Sequence, residues 1–86
     1  MKIEIVTRTE PPCIYCTNAK NFLTEKNIPF EETRIGRDAT REEIIARFPA
    51  NKTLPIVIID DVVIGGYTEL REHVKSNGLG DNLLLG

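Results

Sequence analysis

Two β-branched runs, Ile56-Val57-Ile58-Ile59 and Val62-Val63-Ile64, stand on either side of Asp60-Asp61, and this arrangement constrains the fold more than any other segment. A two-residue spacer has the length of a tight hairpin turn, so the runs pair as adjacent antiparallel strands. Whatever else the 86 residues form, they must supply a sheet for this hairpin to join.

The rest of the chain offers two more strands and three helices. Residues 2–7 place Ile3 and Ile5 on one face and Glu4 and Val6 on the other, which predicts a strand covered on both sides, ended by Glu10-Pro11-Pro12. Over residues 15–26 the small and apolar side chains Cys16, Ala19, Phe22 and Leu23 recur at helical spacing, opposite a polar side of Asn18, Lys20, Asn21, Thr24 and Glu25. Asn27 and Pro29 stop this helix, and residues 30–35 form a weaker second strand. Thr40 and Glu43 have capping-box spacing ahead of Ile44, Ile45 and Phe48, so a short helix runs to Pro49. After the hairpin, Gly65-Gly66 breaks the strand and a helix from Thr68 carries Leu70 and Val74 before Asn77-Gly78 ends it. Leu83, Leu84 and Leu85 are expected to add a last apolar turn.

The predicted order is β-α-β-α-β-β-α. Strands joined through a helix are expected to run parallel by right-handed crossovers, and the hairpin must be antiparallel. The expected fold class is therefore α/β, a four-stranded mixed sheet flanked by helices, forming one domain over residues 1–86. Phe22, Leu23, Ile44, Phe48 and the apolar residues of the third and fourth strands are assigned to its core.

Composition narrows the function. Hydrophobic residues make up 41% of the chain and no apolar run approaches a membrane span, so a membrane protein is not expected. The first eight residues alternate in polarity and lack a signal-peptide pattern, which leads to a cytoplasmic expectation. A net charge of -2 with dispersed Lys and Arg gives no basic stripe for nucleic acid.

The two cysteines, Cys13 and Cys16, are separated by Ile14-Tyr15. So short a loop gains little as a structural bridge, whereas disulfide exchange needs one thiol that ionises near neutral pH and a second close enough to displace the mixed disulfide. A helix opening near Cys13 would favour its thiolate through unpaired N–H groups and the helix dipole, lowering the pKa of this thiol below its usual value. Cys13 is assigned as nucleophile and Cys16 as resolving thiol. The same spacing is half of a zinc or iron-sulfur site, but the only other conventional N or S ligand is His73, in the third helix, which is assigned no role. Placement after a strand and at a helix start favours redox chemistry over an intersubunit metal site or an incidental pair.

This motif, the element order, Thr53-Leu54-Pro55 and Gly65-Gly66 together make the chain resemble a dithiol glutaredoxin of the thioredoxin-like superfamily from about Ile3 to Leu85. The resemblance implies a cis Leu54-Pro55 bond facing the cysteines, with Leu54 backbone groups open to an extended substrate. Taken by itself, Pro55 is an ordinary strand-opening proline. Gly66, Tyr67 and Thr68 match the turn that holds the γ-glutamyl end of glutathione. Thr68 stands where the family usually has aspartate, implying weaker glutathione binding, with a helix N-cap at least as good an account of this residue.

Arg8 and Lys52 match positions for the glycine carboxylate, although each alone reads as a solvated surface charge. Tyr15 matches the aromatic residue flanking the thiolate. Ile14 replaces the family's proline and so frees an N–H for the Cys13 sulfur.

What the resemblance implies is a glutathione-dependent oxidoreductase acting on protein disulfides or glutathione mixed disulfides, ribonucleotide reductase among them, as a monomer with no tightly bound cofactor. Three readings compete. They are a thioredoxin-like carrier reduced by a flavoprotein reductase, a dimer holding an iron-sulfur cluster between Cys13 thiolates with glutathione, and an inert structural domain.

Overall fold

A computed structural model describes residues 2–77 as β1 (Ile3–Thr7), α1 (Ile14–Glu25), β2 (Glu31–Arg34), α2 (Arg41–Arg47), β3 (Ile56–Ile59), β4 (Val62–Gly65) and α3 (Tyr67–Asn77). The strands form one mixed sheet in the order β2-β1-β3-β4. β1 pairs parallel with β2 and antiparallel with β3, and β3 pairs antiparallel with β4. This is a thioredoxin-like arrangement of the α/β class. The expected turn at Gly78 and the apolar residues Leu83, Leu84 and Leu85 lie outside the described residues.

Local chemistry sets the element ends. Asp60 and Asp61 both take left-handed backbone, with φ of 51° and 68°, as a two-residue turn matching the twist of its strands requires. Asn27, at φ 60°, closes α1 in a Schellman arrangement: Ile28 N–H donates to Leu23 O at 2.9 Å and Asn27 N–H to Thr24 O at 3.1 Å. The Thr40–Glu43 capping box is present in both directions, at 3.1 and 2.8 Å, and the Thr40 backbone N–H holds the Glu43 carboxyl below its ordinary pKa.

The alternation in β1 divides the core between two faces. Ile3, Ile5, Val57 and Ile59 pack against Ala19 and Leu23 of α1 and Leu70 and Val74 of α3. On the other face Val6, Ile56 and Ile58 receive Ile44 and Phe48. Each buried Val, Leu, Ile or Phe among them contributes about 1.5–3 kcal/mol relative to exposure. Glu4 lies on this second face, where its carboxylate accepts two bonds from Arg47 at 3.1 Å and one from Thr33 Oγ1 at 2.7 Å, fastening α2 to β1. The Arg47 hydrogen bond draws the Glu4 pKa below its ordinary value.

Three sequence expectations are corrected. β2 and β3, although joined through α2, do not run parallel, because β3 is antiparallel to β1 whereas β2 is parallel to it. The chain leaves the sheet with Arg34 opposite Thr7 and returns with Ile56 opposite Val6, so the segment re-enters at the end it left. Its seven-residue helix is only about 10 Å long, and much of the remainder is spent on turns.

The fourth strand is not core throughout. Val62 is 61% and Val63 39% exposed on β4, the edge strand, while Ile64 and Phe22 are partly buried against the α1–α3 side.

Thr68 is not the N-cap of α3. The helix opens at Tyr67, and the Gly66 carbonyl accepts the Leu70 N–H at 3.0 Å, which makes Gly66 the capping residue.

Candidate active site

Cys13 is extended (φ -128°, ψ 99°) and serves as the N-cap of α1. It is disulfide-bonded to Cys16, with the two Cα atoms 5.3 Å apart. A sequence separation of three within a helix's first turn brings both sulfurs to one side, which is why this spacing closes so readily. Cys13 is half-buried and Cys16 only 1% exposed, which leaves the Cys13 sulfur the more accessible of the two. The N–H that donates to the Cys13 sulfur is that of Cys16, at 3.2 Å. Ile14 and Tyr15 are 73% and 62% exposed beside it.

The segment before β3 closes the site from the other side. Leu54-Pro55 is a cis peptide, as is Glu10-Pro11 on the approach to Cys13. Leu54 O lies 3.8 Å from the Cys13 sulfur, a position where it accepts from the thiol when the disulfide is reduced. Gly66 is adjacent: a Cβ there would meet Pro55 O at 3.4 Å. Cys13, Leu54, Pro55 and Gly66 therefore converge, drawn from α1, the loop before β3 and the start of α3.

The remaining candidates divide into groups. The Tyr15 and Tyr67 rings face each other at 6.3 Å with a 34° tilt, and Phe22 meets Tyr67 edge-on at 6.4 Å. Arg8 and Lys52 line, with Leu54, a cavity of about 600 Å³ between α2 and the strand ends. Arg8 Nε donates to Pro11 O at 3.1 Å, which ties this side chain to the cysteine loop. Thr68 is not in this group and instead lines a separate groove with Phe22, Lys26, Arg71 and Lys75.

Glu69 was not anticipated. Its Oε1 accepts the Gly66 N–H at 2.8 Å, and its side chain passes over Gly65, whose φ is +128° and where a Cβ would meet Glu69 Cγ at 2.7 Å. The available signal was its spacing, three residues after the capping position, in the place of the acidic member of a capping box. Arg41 and Ile45, which also line the cavity, carried no distinguishing sequence signal.

Comparison with known proteins accords with this geometry. Residues 3–64 match the profile of the family described as Glutaredoxin. The chain is 34% identical over 84 residues to Glutaredoxin 1 of Rickettsia felis, covering 95% of this chain and 81% of that one. It is 41% identical over 72 residues to Glutaredoxin 3 of Escherichia coli, covering 83% and 86%. Among solved structures, Glutaredoxin 1 of Francisella tularensis complexed with cacodylate superposes with a TM-score of 0.73 at 35% identity, covering 88% of this chain and 94% of that one.

Proposed function

Since this chain belongs to the glutaredoxin family and is a thiol–disulfide oxidoreductase, we propose that it draws its electrons from glutathione and passes them through Cys13. The observation that carries this assignment is the asymmetry of the pair: Cys13 is half-buried at a helix N-terminus, while Cys16 is inaccessible behind it.

In the forward reaction the Cys13 thiolate attacks a substrate disulfide. One substrate sulfur leaves as a thiolate and takes a proton, and the other becomes joined to Cys13. The Cys16 thiolate then attacks the Cys13 sulfur, releasing the second substrate thiol and forming the Cys13–Cys16 disulfide. Two electrons have passed to the substrate. A glutathione thiolate reverses the protein's oxidation by attacking Cys13 and releasing Cys16, and a second glutathione attacks the bound glutathione sulfur. The products are glutathione disulfide and the dithiol protein.

Three features support glutathione as the reductant. The Leu54 carbonyl beside the Cys13 sulfur is placed to pair with a peptide N–H of an extended tripeptide. Arg8 and Lys52 offer positive charge for its glycine carboxylate, and the backbone of Gly66, Tyr67 and Thr68 at the start of α3 receives its γ-glutamyl end. Tyr15, 62% exposed and facing Tyr67, is the aromatic side chain proposed to flank the sulfur and its substrate.

Disulfide proteins, ribonucleotide reductase among them, are the proposed oxidants, with the protein acting as a monomer in the reducing cytoplasm. No described helix is long and apolar enough to cross a membrane.

The test is turnover of a small mixed disulfide with glutathione, its recycling reductase and NADPH. Cys13→Ser is expected to abolish turnover, and Cys16→Ser to retain a substantial part of it. Absence of turnover in the wild type, with reduction by a flavoprotein thioredoxin reductase instead, would replace glutathione coupling with a thioredoxin-like carrier.

A further inference from the structure

We propose that the cavity between α2 and the loop before β3 is a docking groove for the polypeptide that bears the substrate disulfide, selecting an apolar side chain flanked by carboxylates. This rests on disulfide exchange at Cys13 and is independent of whether glutathione is the reductant.

The groove has about 600 Å³, within the range of sites that enclose a ligand and far more than one carboxylate needs. Ile44, Phe48 and Ile56 form an apolar floor, while Ile45, also in the lining, is left 54% exposed. Ile45 follows Ile44 on α2 and packs in neither core cluster, so an apolar partner side chain would remove it from water.

The charge around this floor is one-sided. Arg8, Arg41 and Lys52 line the groove against a single carboxylate, Glu10, in a chain of net charge -2. The ion pairs among the described residues engage Lys20, Arg34, Arg37 and Arg47, leaving the three groove cations without a carboxylate partner. An acidic segment is the complement to such a rim.

Leu54 lines the groove and carries the carbonyl 3.8 Å from the Cys13 sulfur. An extended chain advances about 3.3–3.6 Å per residue, so the groove receives side chains a few residues from the substrate's reacting cysteine.

The test uses the reduced protein and two synthetic peptides whose single cysteine is joined to thionitrobenzoate. One peptide has Leu and Glu within four residues on both sides of the cysteine, and the other has Ser and Lys there. Cys13 attacks the peptide sulfur and the coloured thionitrobenzoate thiolate departs with the bonding pair, after which Cys16 displaces the peptide thiol.

The expected second-order rate constant is about tenfold higher for the acidic peptide at low salt, a ratio that shrinks as salt is added. Arg41→Glu, which puts a favourable charge at a helix start, should bring the ratio near one, and Ile45→Ser should lower it by removing the preference for Leu. The mixed disulfide of 2-mercaptoethanol and thionitrobenzoate should react equally with all three proteins. Equal rates for both peptides in the wild type, or a preference that survives both substitutions, would overturn the groove assignment. Failure of every disulfide, the mercaptoethanol control included, would overturn the exchange chemistry along with it.

Discussion

Glu69 folds back over Gly65 and accepts the Gly66 N–H through Oε1 at 2.8 Å. The Glu69 carboxylate thus takes the first N–H of this helix start, and the Tyr67 and Thr68 N–H groups that follow are the ones a substrate carboxylate would meet. Loss of this cap in Glu69→Ala should cost about 0.5–2 kcal/mol, a fall in Tm of several degrees for a domain of this size. Gly65→Ala should cost more, since the new Cβ meets Glu69 Cγ at 2.7 Å on a backbone of φ +128°. The double variant should lose less stability than the sum of the single ones, because Glu69→Ala removes the obstructing side chain. Strict additivity in thermal melts would contradict this packing.

Acid should unfasten α2. Glu4 has a pKa below its ordinary 4.5, owing first to the Arg47 hydrogen bond. A carboxylate whose folded pKa is depressed stabilises the fold above its unfolded pKa, and that contribution is lost as pH falls through the folded value. Urea midpoints of the wild type should therefore drop as pH falls below about 4.5, with the Arg47→Met variant starting lower by about 1 kcal/mol and showing a shallower drop. Parallel profiles for the two proteins would remove Glu4–Arg47 as the cause.

Adjacent isoleucines on α2 should respond very differently. Ile44 is 4% exposed among Val6, Phe48, Ile56 and Ile58, so Ile44→Ala should cost about 2–4 kcal/mol in urea denaturation. Ile45 is 54% exposed, and Ile45→Ala should fall within about 0.5 kcal/mol of the wild type. Equal losses would mean that α2 presents another face to the sheet.

If Lys52 receives a glutathione carboxylate, Lys52→Glu should raise KM for glutathione a few-fold and leave kcat nearly unchanged, because an exposed charge pair contributes only about 0.2–1 kcal/mol. Steady-state kinetics at two salt concentrations measure this. A KM that does not move would remove Lys52 from the glutathione site.

Much of the fold was legible because particular short segments admit few conformations. Asp60-Asp61 between β-branched runs defines a hairpin, Thr40 and Glu43 define a helix start, and alternation through Ile3, Glu4, Ile5 and Val6 places β1 between two layers. The thiol pair was equally legible, since three-residue spacing at a helix opening determines both geometry and exposure.

Long-range choices left weaker traces. The polarity of residues 30–35 does not reveal which end of the sheet the chain re-enters, so the direction of β3 relative to β2 had to come from the pairing of Ile56 with Val6. Val62 and Val63 have the composition of a buried strand, and their exposure follows from the place of β4 at the sheet edge, with Val62 opposite Ile59 on one face and Val63 opposite Ile58 on the other. Thr68 has the chemistry of a capping residue, yet Gly66 and Glu69 share that role because the helix opens at Tyr67, which puts the capping position two residues before Thr68.

The unequal exposure of the two sulfurs has a consequence for traffic through the protein. Cys16 is sealed inside the fold, so every exchange with an outside molecule, whether it brings electrons or takes them, passes through the single sulfur of Cys13. Donor and acceptor must therefore take turns at one port, and a partner joined to the Cys13 sulfur holds that port until a second thiol, that of Cys16 or one from outside, displaces it.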